Sequence, residues 1–374
     1  MTGSFHATFA RGGSSNGLVV LRSELPDDIR TWEPILAAAM GSPDPGWRQL
    51  NGIGSGISST SKVCVIEASS HPDIDIDYTF VQVGVDTGKL SLAGNCGNMS
   101  SVVGPVALNE GLVDESRIFK TGDGSGMITV RVFNTKTSKV IHATFKVQQL
   151  GVRWSFDGAG DYAIAGVPGT ASKISLCFLD PAGAKTGKVL PSGNPVDTLD
   201  LSESDGGPIQ ASLVDIANPA VFIWARDLGV DGDIKPDELQ TKTSLMHRLE
   251  KIRQAGAERM GMDPSAPGVP FIAILSTPSE KAVSQGIHLE VRTLSMQQAH
   301  KAIPGTLALN LGSARRIPGT LPAQLASQSA SEDSMTISHP GGLIEVGSIL
   351  KDGKIESAVL HRTAKILMKG EVYF

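Results

Sequence analysis

The chain has 374 residues, 40% hydrophobic and 19% charged, the composition of a globular protein of about two domains rather than a disordered one. Its 33 Lys and Arg against 38 Asp and Glu leave a formal charge of −5. With no basic block it is a poor nucleic-acid binder, and no apolar run approaches the ~20 residues of a membrane-spanning helix. Glycine is abundant, at 42 residues, without a Gly-X-Y period; this excludes collagen and predicts many tight turns. The N-terminus MTGSFHATFARGG lacks the charged and apolar regions of a secretory signal. Cys64, Cys96 and Cys177 are too few for a disulfide framework and too far apart for a CxxC metal knuckle, and the eight histidines form no HExxH or HxH pair. These features predict a reducing, cytoplasmic setting and no structural metal.

In chain order, strand-like runs rich in Val, Ile and Phe fall at 17–22, 63–68, 78–85, 128–134, 143–148, 174–179, 211–216, 221–225, 271–276, 288–294, 343–350 and 356–363. Helical spacing is found at 28–40, where Ile29, Trp32, Leu36 and Ala39 share a face, and at 98–109, around Met99, Val102, Val103 and Val106, with Pro105 expected to kink it. Two more helices are predicted at 241–260 and 306–316. Many strands with few helices read as an α+β protein with large, mainly antiparallel sheets. The segment DPAGAKTGKVLPS (180–192) is the best candidate for a domain crossing, and 323–334 reads as a polar surface loop. One helix in each half opens from a glycine turn, at Gly97-Asn98-Met99 and at Pro304-Gly305-Thr306, which hints at duplicated domains.

Four constellations carry chemistry. Gly94-Asn95-Cys96-Gly97-Asn98 opens an apolar-faced helix, whose first N–H groups favour an anion or a thiolate; the plainer alternative is a buried cysteine beside an Asn cap. The run 54–62, GSGISSTSK, leads into a strand and offers Ser58, Ser59 and Thr60 to an oxyanion. Lys62 ends that loop and is a base only where a pocket draws its pKa down from ~10.4; a solvated lysine is the commoner case. Arg11, in a glycine-rich turn with Asn16, suits a carboxylate, or is an ordinary surface arginine. In the second half, Lys301, Gly305, Thr306, His339 and Gly341 lie at glycine turns. Cys64 and Cys177, inside apolar strands, read as inert core residues.

Taken together, RGGSSNG, GISSTSKV, GNCGNMSSVVGPVAL, GVPGTASKISLCFLDPAG, TGKVLPSGN, ASLVDIANPAVFIWARDLG, HKAIPGTLAL, ARRIPGT, SHPGG and HRTAKILMKGEV, in this order from about residue 10 to the C-terminus, resemble the 2-methylaconitate isomerase (PrpF-like) family. That family shares the fold of diaminopimelate epimerase and proline racemase. The resemblance implies two similar α+β domains, each a curved, mainly antiparallel sheet around a central helix, with the active site in the cleft between them. The boundaries would be 1–184 and 185–374, leaving open a return of the C-terminal strand to the first domain. It implies isomerisation of an unsaturated di- or tricarboxylate without cofactor or metal, with Lys62 and Cys96 as catalytic residues. Arg11, Asn16, Ser58, Ser59, Thr60, Asn95, Gly97, Asn98, Met99, Lys301, Gly305, Thr306, His339 and Gly341 are the implied substrate-binding positions.

The favoured substrate is an aconitate-like tricarboxylate, with 2-methylaconitate, methylitaconate or a longer alkyl-aconitate as alternatives. A racemase of the same fold is disfavoured because no cysteine stands near Pro304-Gly305-Thr306, and a non-catalytic binder because Lys62 and Cys96 are both present. Two departures from the family pattern fall at expected contacts: Asn16 where T-S-K-G is usual, and Gly341 where H-P-S-G is usual. No nucleic-acid or membrane partner is expected. A homodimer is common among metabolic enzymes, but no interface stripe stands out in the sequence.

Overall fold

A computed structural model describes residues 3–92, 96–122, 124–266, 268–295, 297–325 and 334–374. Asn95, expected in the site, and residues 326–333 of the expected polar loop lie outside the described residues. The chain divides into two compact units, residues 1–179 with 361–374 and residues 180–360. Among the described residues no helix is long and apolar enough to cross a membrane.

In the first unit a hairpin of Ser4–Gly12 and Ser15–Leu21 turns at Gly13-Ser14, with Arg11 opposite Asn16 and Gly12 opposite Ser15. The second hairpin strand runs parallel to Lys62–Ala68, placing Gly17 beside Lys62. That strand pairs antiparallel with Ile76–Val83, so that Lys62 faces Gln82. Ser125–Asn134, Lys139–Leu150, Arg153–Phe156 and Ile174–Leu179 continue as antiparallel neighbours. The terminal strand, Ala364–Tyr373, runs antiparallel along Ser4–Gly12.

The helix Trp32–Met40 ends at Gly41, whose φ of 80° closes it in the left-handed form. Trp32, Leu36 and Met40 are fully buried against Leu18, Val63 and Val81, each contributing about 1.5–3 kcal/mol of apolar transfer. The 28–40 prediction merges this helix with a preceding turn of 3₁₀ helix at Ile29–Thr31, capped by Asp28. The central helix of the unit is Ser100–Asn109, buried from Ser100 to Leu108. It runs as one α-helix through Pro105, although proline offers no N–H to the turn before it; packing on all sides compensates. Gly104 is required there, because a Cβ would lie 2.8 Å from the Phe145 ring.

The second unit repeats the theme around Gly305–Ala314, in which every residue is buried. Asn310 on that helix donates from Nδ2 to the carbonyls of Val214 and Asn218, both at 2.8 Å, tying the helix to the antiparallel pair Ile209–Ile216 and Asn218–Trp224. Phe271–Ser276 joins in parallel and Leu289–Ser295 antiparallel. Ser334–His339, Gly342–Lys351 and Lys354–Arg362, the last up to Leu360 within this unit, form an antiparallel meander. The helix predicted at 241–260 is Thr243–Arg259, and Lys242 separates it from a short helix at Pro236–Thr241. It packs one face, Leu249 and Ile252 among it, on a core with Leu213, Val221 and Ile274.

One expectation needs correction. Cys177 is half-exposed, not a core residue. The strand Ile174–Leu179 alternates, burying Ile174, Leu176 and Phe178 while Cys177 takes the other face. Cys64 is fully buried.

Candidate active site

The first unit gathers its chemistry where the hairpin turn meets the start of the Ser100–Asn109 helix. Asn98 is the hub. Its Nδ2 donates to Ser14 Oγ at 3.1 Å and Ser15 Oγ at 3.4 Å, while its Oδ1 accepts from Arg362 Nε at 2.9 Å. The approach is so close that a Cβ on Gly13, whose φ is +54°, would lie 2.3 Å from Asn98 Oδ1, and one on Gly12 would lie 2.6 Å from the Asn98 carbonyl. The glycine pair is therefore a steric requirement of the contact.

Gly17 makes the next link. A Cβ there would stand 2.4 Å from the Lys62 carbonyl and 3.0 Å from Met99 Cε, so the strand carrying Lys62 and the helix start meet across it. Met99 is fully buried and packs, and Gly97 is buried at the turn. Cys96 is half-buried, and its carbonyl accepts from the Ser100 N–H at 2.8 Å and from Ser100 Oγ at 3.0 Å. This bond fixes the first turn, whose leading N–H groups have no partner inside the helix. Ser100 also bonds the hydroxyl of fully buried Tyr78, itself 3.9 Å from Cys64 Sγ. Burial pushes both the Cys64 thiol and the Tyr78 hydroxyl above their ordinary values, which leaves them neutral.

Lys62, half-buried at the first position of its strand, donates from Nζ to Gln82 Oε1 at 2.8 Å and lies 5.2 Å from the centre of the Phe80 ring. Gln82 in turn donates from Nε2 to the carbonyls of Ser58 and Ser61, both at 3.0 Å. Ser58–Thr60 is a turn of 3₁₀ helix. Thr60 Oγ1 accepts from Ser55 Oγ at 2.8 Å. Gln49, buried with φ +52°, braces the loop from beneath, its Oε1 accepting from the Gly56 N–H and Ser61 Oγ, each at 2.8 Å.

Arg11 is committed locally. Its NH1 donates to the carbonyls of Gly13 at 2.7 Å and Thr363 at 3.1 Å, and to Thr363 Oγ1 at 3.1 Å; burial draws its pKa down. Asn16 sits opposite it on the hairpin. Arg362, like Gln82, stands at this site without being one of the positions expected from the sequence. It is 6% exposed, bonded to Asn98 and, from NH1, to the His361 carbonyl at 3.0 Å. Burial pulls its pKa down to about 10 against the opposing influence of Tyr162 and Cys96, so it keeps its charge near neutrality. Its only signal in the sequence was its place within the HRTAKILMKGEV segment.

In the second unit, Gly305 begins its helix and Thr306, buried behind it, accepts from Asn218 Nδ2 at 2.9 Å. His339 is buried and its Nδ1 accepts from the Gly341 N–H at 3.1 Å. A Cβ on Gly341 would lie 3.1 Å from the Lys301 carbonyl, so these three residues adjoin. The Lys301 ammonium itself is 82% exposed and 3.5 Å from Asp237. Among the described residues no group of three or more His, Cys, Asp or Glu could hold a metal ion.

A family model described as "PrpF protein" matches residues 4–374. A curated relative, the 2-methyl-aconitate isomerase of Shewanella oneidensis, is 33% identical over 98% of this chain and 96% of its own length. The crystal structure of a methylitaconate-delta-isomerase superposes with a TM-score of 0.81 at 37% identity, covering 100% of this chain and 96% of that one. A hydroxyproline epimerase from Agrobacterium vitis, at 12% identity and a TM-score of 0.56 over 99% and 93% of the two chains, shares the fold alone.

Proposed function

The chain belongs to the PrpF family and is an isomerase, and on that premise we propose that it moves a proton between allylic carbons of an aconitate-like tricarboxylate. The observation that carries this reading is the Lys62 amine, held by Gln82 at 2.8 Å on the strand that meets the Cys96–Asn98 helix start across Gly17.

The chemistry suits such a site. A CH₂ beside a C=C bearing a carboxylate is acidified through the double bond. Lys62 takes one of its protons, and the electron pair delocalises into an extended dienolate. Return of any one of the protons then on the Lys62 ammonium to the far carbon transposes the double bond; its return to the original carbon after rotation exchanges cis and trans. One proton leaves and one comes back, with no net change in oxidation state, so the reaction as written calls for no redox group. Aimed N–H donors and cations stabilise the dienolate charge, a task that fits the helix start with Asn98. Cys96 is the proton partner on the opposite side or a polar wall of the pocket. Ser58, Ser59 and Thr60 in the first unit, and Thr306, His339 and Lys301 in the second, are the further carboxylate donors we propose.

A second reading, with 2-methylaconitate or methylitaconate as substrate, is favoured by what two relatives are named for. The test is a panel of cis-aconitate, 2-methylaconitate and methylitaconate, each followed by the change in conjugated absorbance with wild type and Lys62→Ala. Turnover of a panel member by wild type, lost by a factor of ~10² or more in Lys62→Ala, supports the reading. A Lys62→Ala variant as active as wild type refutes the role of Lys62.

A further inference from the structure

We infer that Arg362 is a substrate-binding residue whose guanidinium receives a carboxylate beside Asn98. The inference rests on the polycarboxylate reading above and adds to it a residue that the motif positions did not include.

Three observations carry it. Arg362 is nine-tenths buried, and among the described residues no Asp or Glu forms an ion pair with it. A guanidinium so enclosed has lost its hydration and gained no opposite charge in exchange, a costly state unless a ligand supplies the charge. Secondly, its hydrogen bonding is incomplete. A guanidinium has five N–H donors; among the described residues one goes to Asn98 Oδ1 and one to the His361 carbonyl, which leaves the others for an acceptor from outside. A planar fork of this kind matches the two oxygens of a carboxylate. Thirdly, its orientation is fixed from both sides: Asn98 holds Nε, and Ser14 and Ser15 hold Asn98. Such bracing suits a group that must not reorganise when the anion arrives.

A purely structural role explains these facts less well. Holding Asn98 needs a single donor, which a neutral amide supplies without burying a charge. Arg11 shows the contrast: it is half-buried, and its NH1 serves the turn through Gly13 and Thr363.

The test measures binding separately from turnover. Tricarballylate, a saturated tricarboxylate that cannot undergo the proton shift, is titrated calorimetrically into full-length wild type, Arg362→Gln and Arg362→Lys, with thermal melting to check folding. The expected result is affinity weakened by ~10-fold or more in Arg362→Gln, as for loss of a charge-assisted pair, with Arg362→Lys between the two. Should Arg362→Gln fail to fold, wild type labelled with ¹⁵N-arginine serves: a buried guanidinium resonance, identified by its loss in Arg362→Lys, should move on adding tricarballylate. A folded Arg362→Gln with wild-type affinity, an unmoved resonance, or wild type that binds no tricarballylate overturns the inference. Arg362-dependent binding without turnover of any panel acid would instead leave the inference standing and refute the isomerase substrate proposed above.

Discussion

Lys62 Nζ and Gln82 Oε1 stand 2.8 Å apart on facing strands, and the same Gln82 amide donates to the loop carbonyls of Ser58 and Ser61. One side chain thus sets the position of the proposed base against the loop expected to hold the substrate. Gln82→Leu should lower kcat by about 10- to 100-fold, the scale of a misplaced catalytic group, with a smaller change in KM. Steady-state kinetics on the best panel acid checks this; an unchanged kcat would show that the amine needs no such anchor.

The hairpin turn is a steric partner of Asn98. Gly13→Ala places a methyl 2.3 Å from Asn98 Oδ1 at a backbone φ of +54°, so both the contact and the conformation are penalised. The expected loss of stability is about 1–3 kcal/mol, measured by urea unfolding. A loss below ~0.5 kcal/mol, the range of an ordinary surface change, would mean that the turn relaxes freely.

The three cysteines should differ in reactivity. Cys64 is fully buried, and that burial pushes its thiol up. In native protein iodoacetamide should modify Cys96 and Cys177, both half-buried, and reach Cys64 only after unfolding. Tricarballylate should slow modification of Cys96 and leave Cys177 unaffected. Mass spectrometry of the tryptic peptides reads each site, and early labelling of Cys64 would contradict its burial.

Asp75 links acid stability to the first unit. Burial acts to raise its pKa, but hydrogen bonds from the Arg131 side chain at 2.9 Å and the Arg131 N–H at 2.7 Å, with Arg117 alongside, outweigh it and leave the pKa lowered. A carboxylate depressed in the folded state contributes stability above its unfolded pKa of ~3.9 and loses that contribution as pH falls through the folded value. Asp75→Asn should therefore be less stable than wild type at neutral pH, and the two should converge below about pH 4. A difference that persists unchanged into acid would remove the carboxylate's charge as the cause.

The legibility of the sequence followed the strength of its patterns. Ile174–Leu179 and Phe271–Ser276 match the runs read from the sequence end to end, because compact apolar runs bounded by polar residues leave little choice. Ser4–Gly12 and Ala364–Tyr373 are strands that the sequence patterns do not announce. The latter exposes most of its residues, so its place is set by backbone pairing with the former, which no hydrophobic period reports. The missed Arg362 has the same origin. It lies 264 residues from Asn98, and only the return of residues 361–374 to the first unit brings the two together. Gln82 was hidden by ordinariness: a polar residue in a strand acquires its role from the Lys62 opposite. The glycines of RGGSSNG indicate a turn, and the structure gives Gly12, Gly13 and Gly17 the further task of admitting Asn98 and Lys62 to close contact.

The proposed reaction turns on Lys62 moving a substrate proton between carbons. Proton NMR of cis-aconitate in D₂O, with wild type beside Lys62→Ala and Cys96→Ser, tests it most directly. Wild type should give trans-aconitate with deuterium at an allylic carbon, and Lys62→Ala should give no exchange. Isomerisation without any deuterium uptake, or exchange that survives in Lys62→Ala, would contradict it.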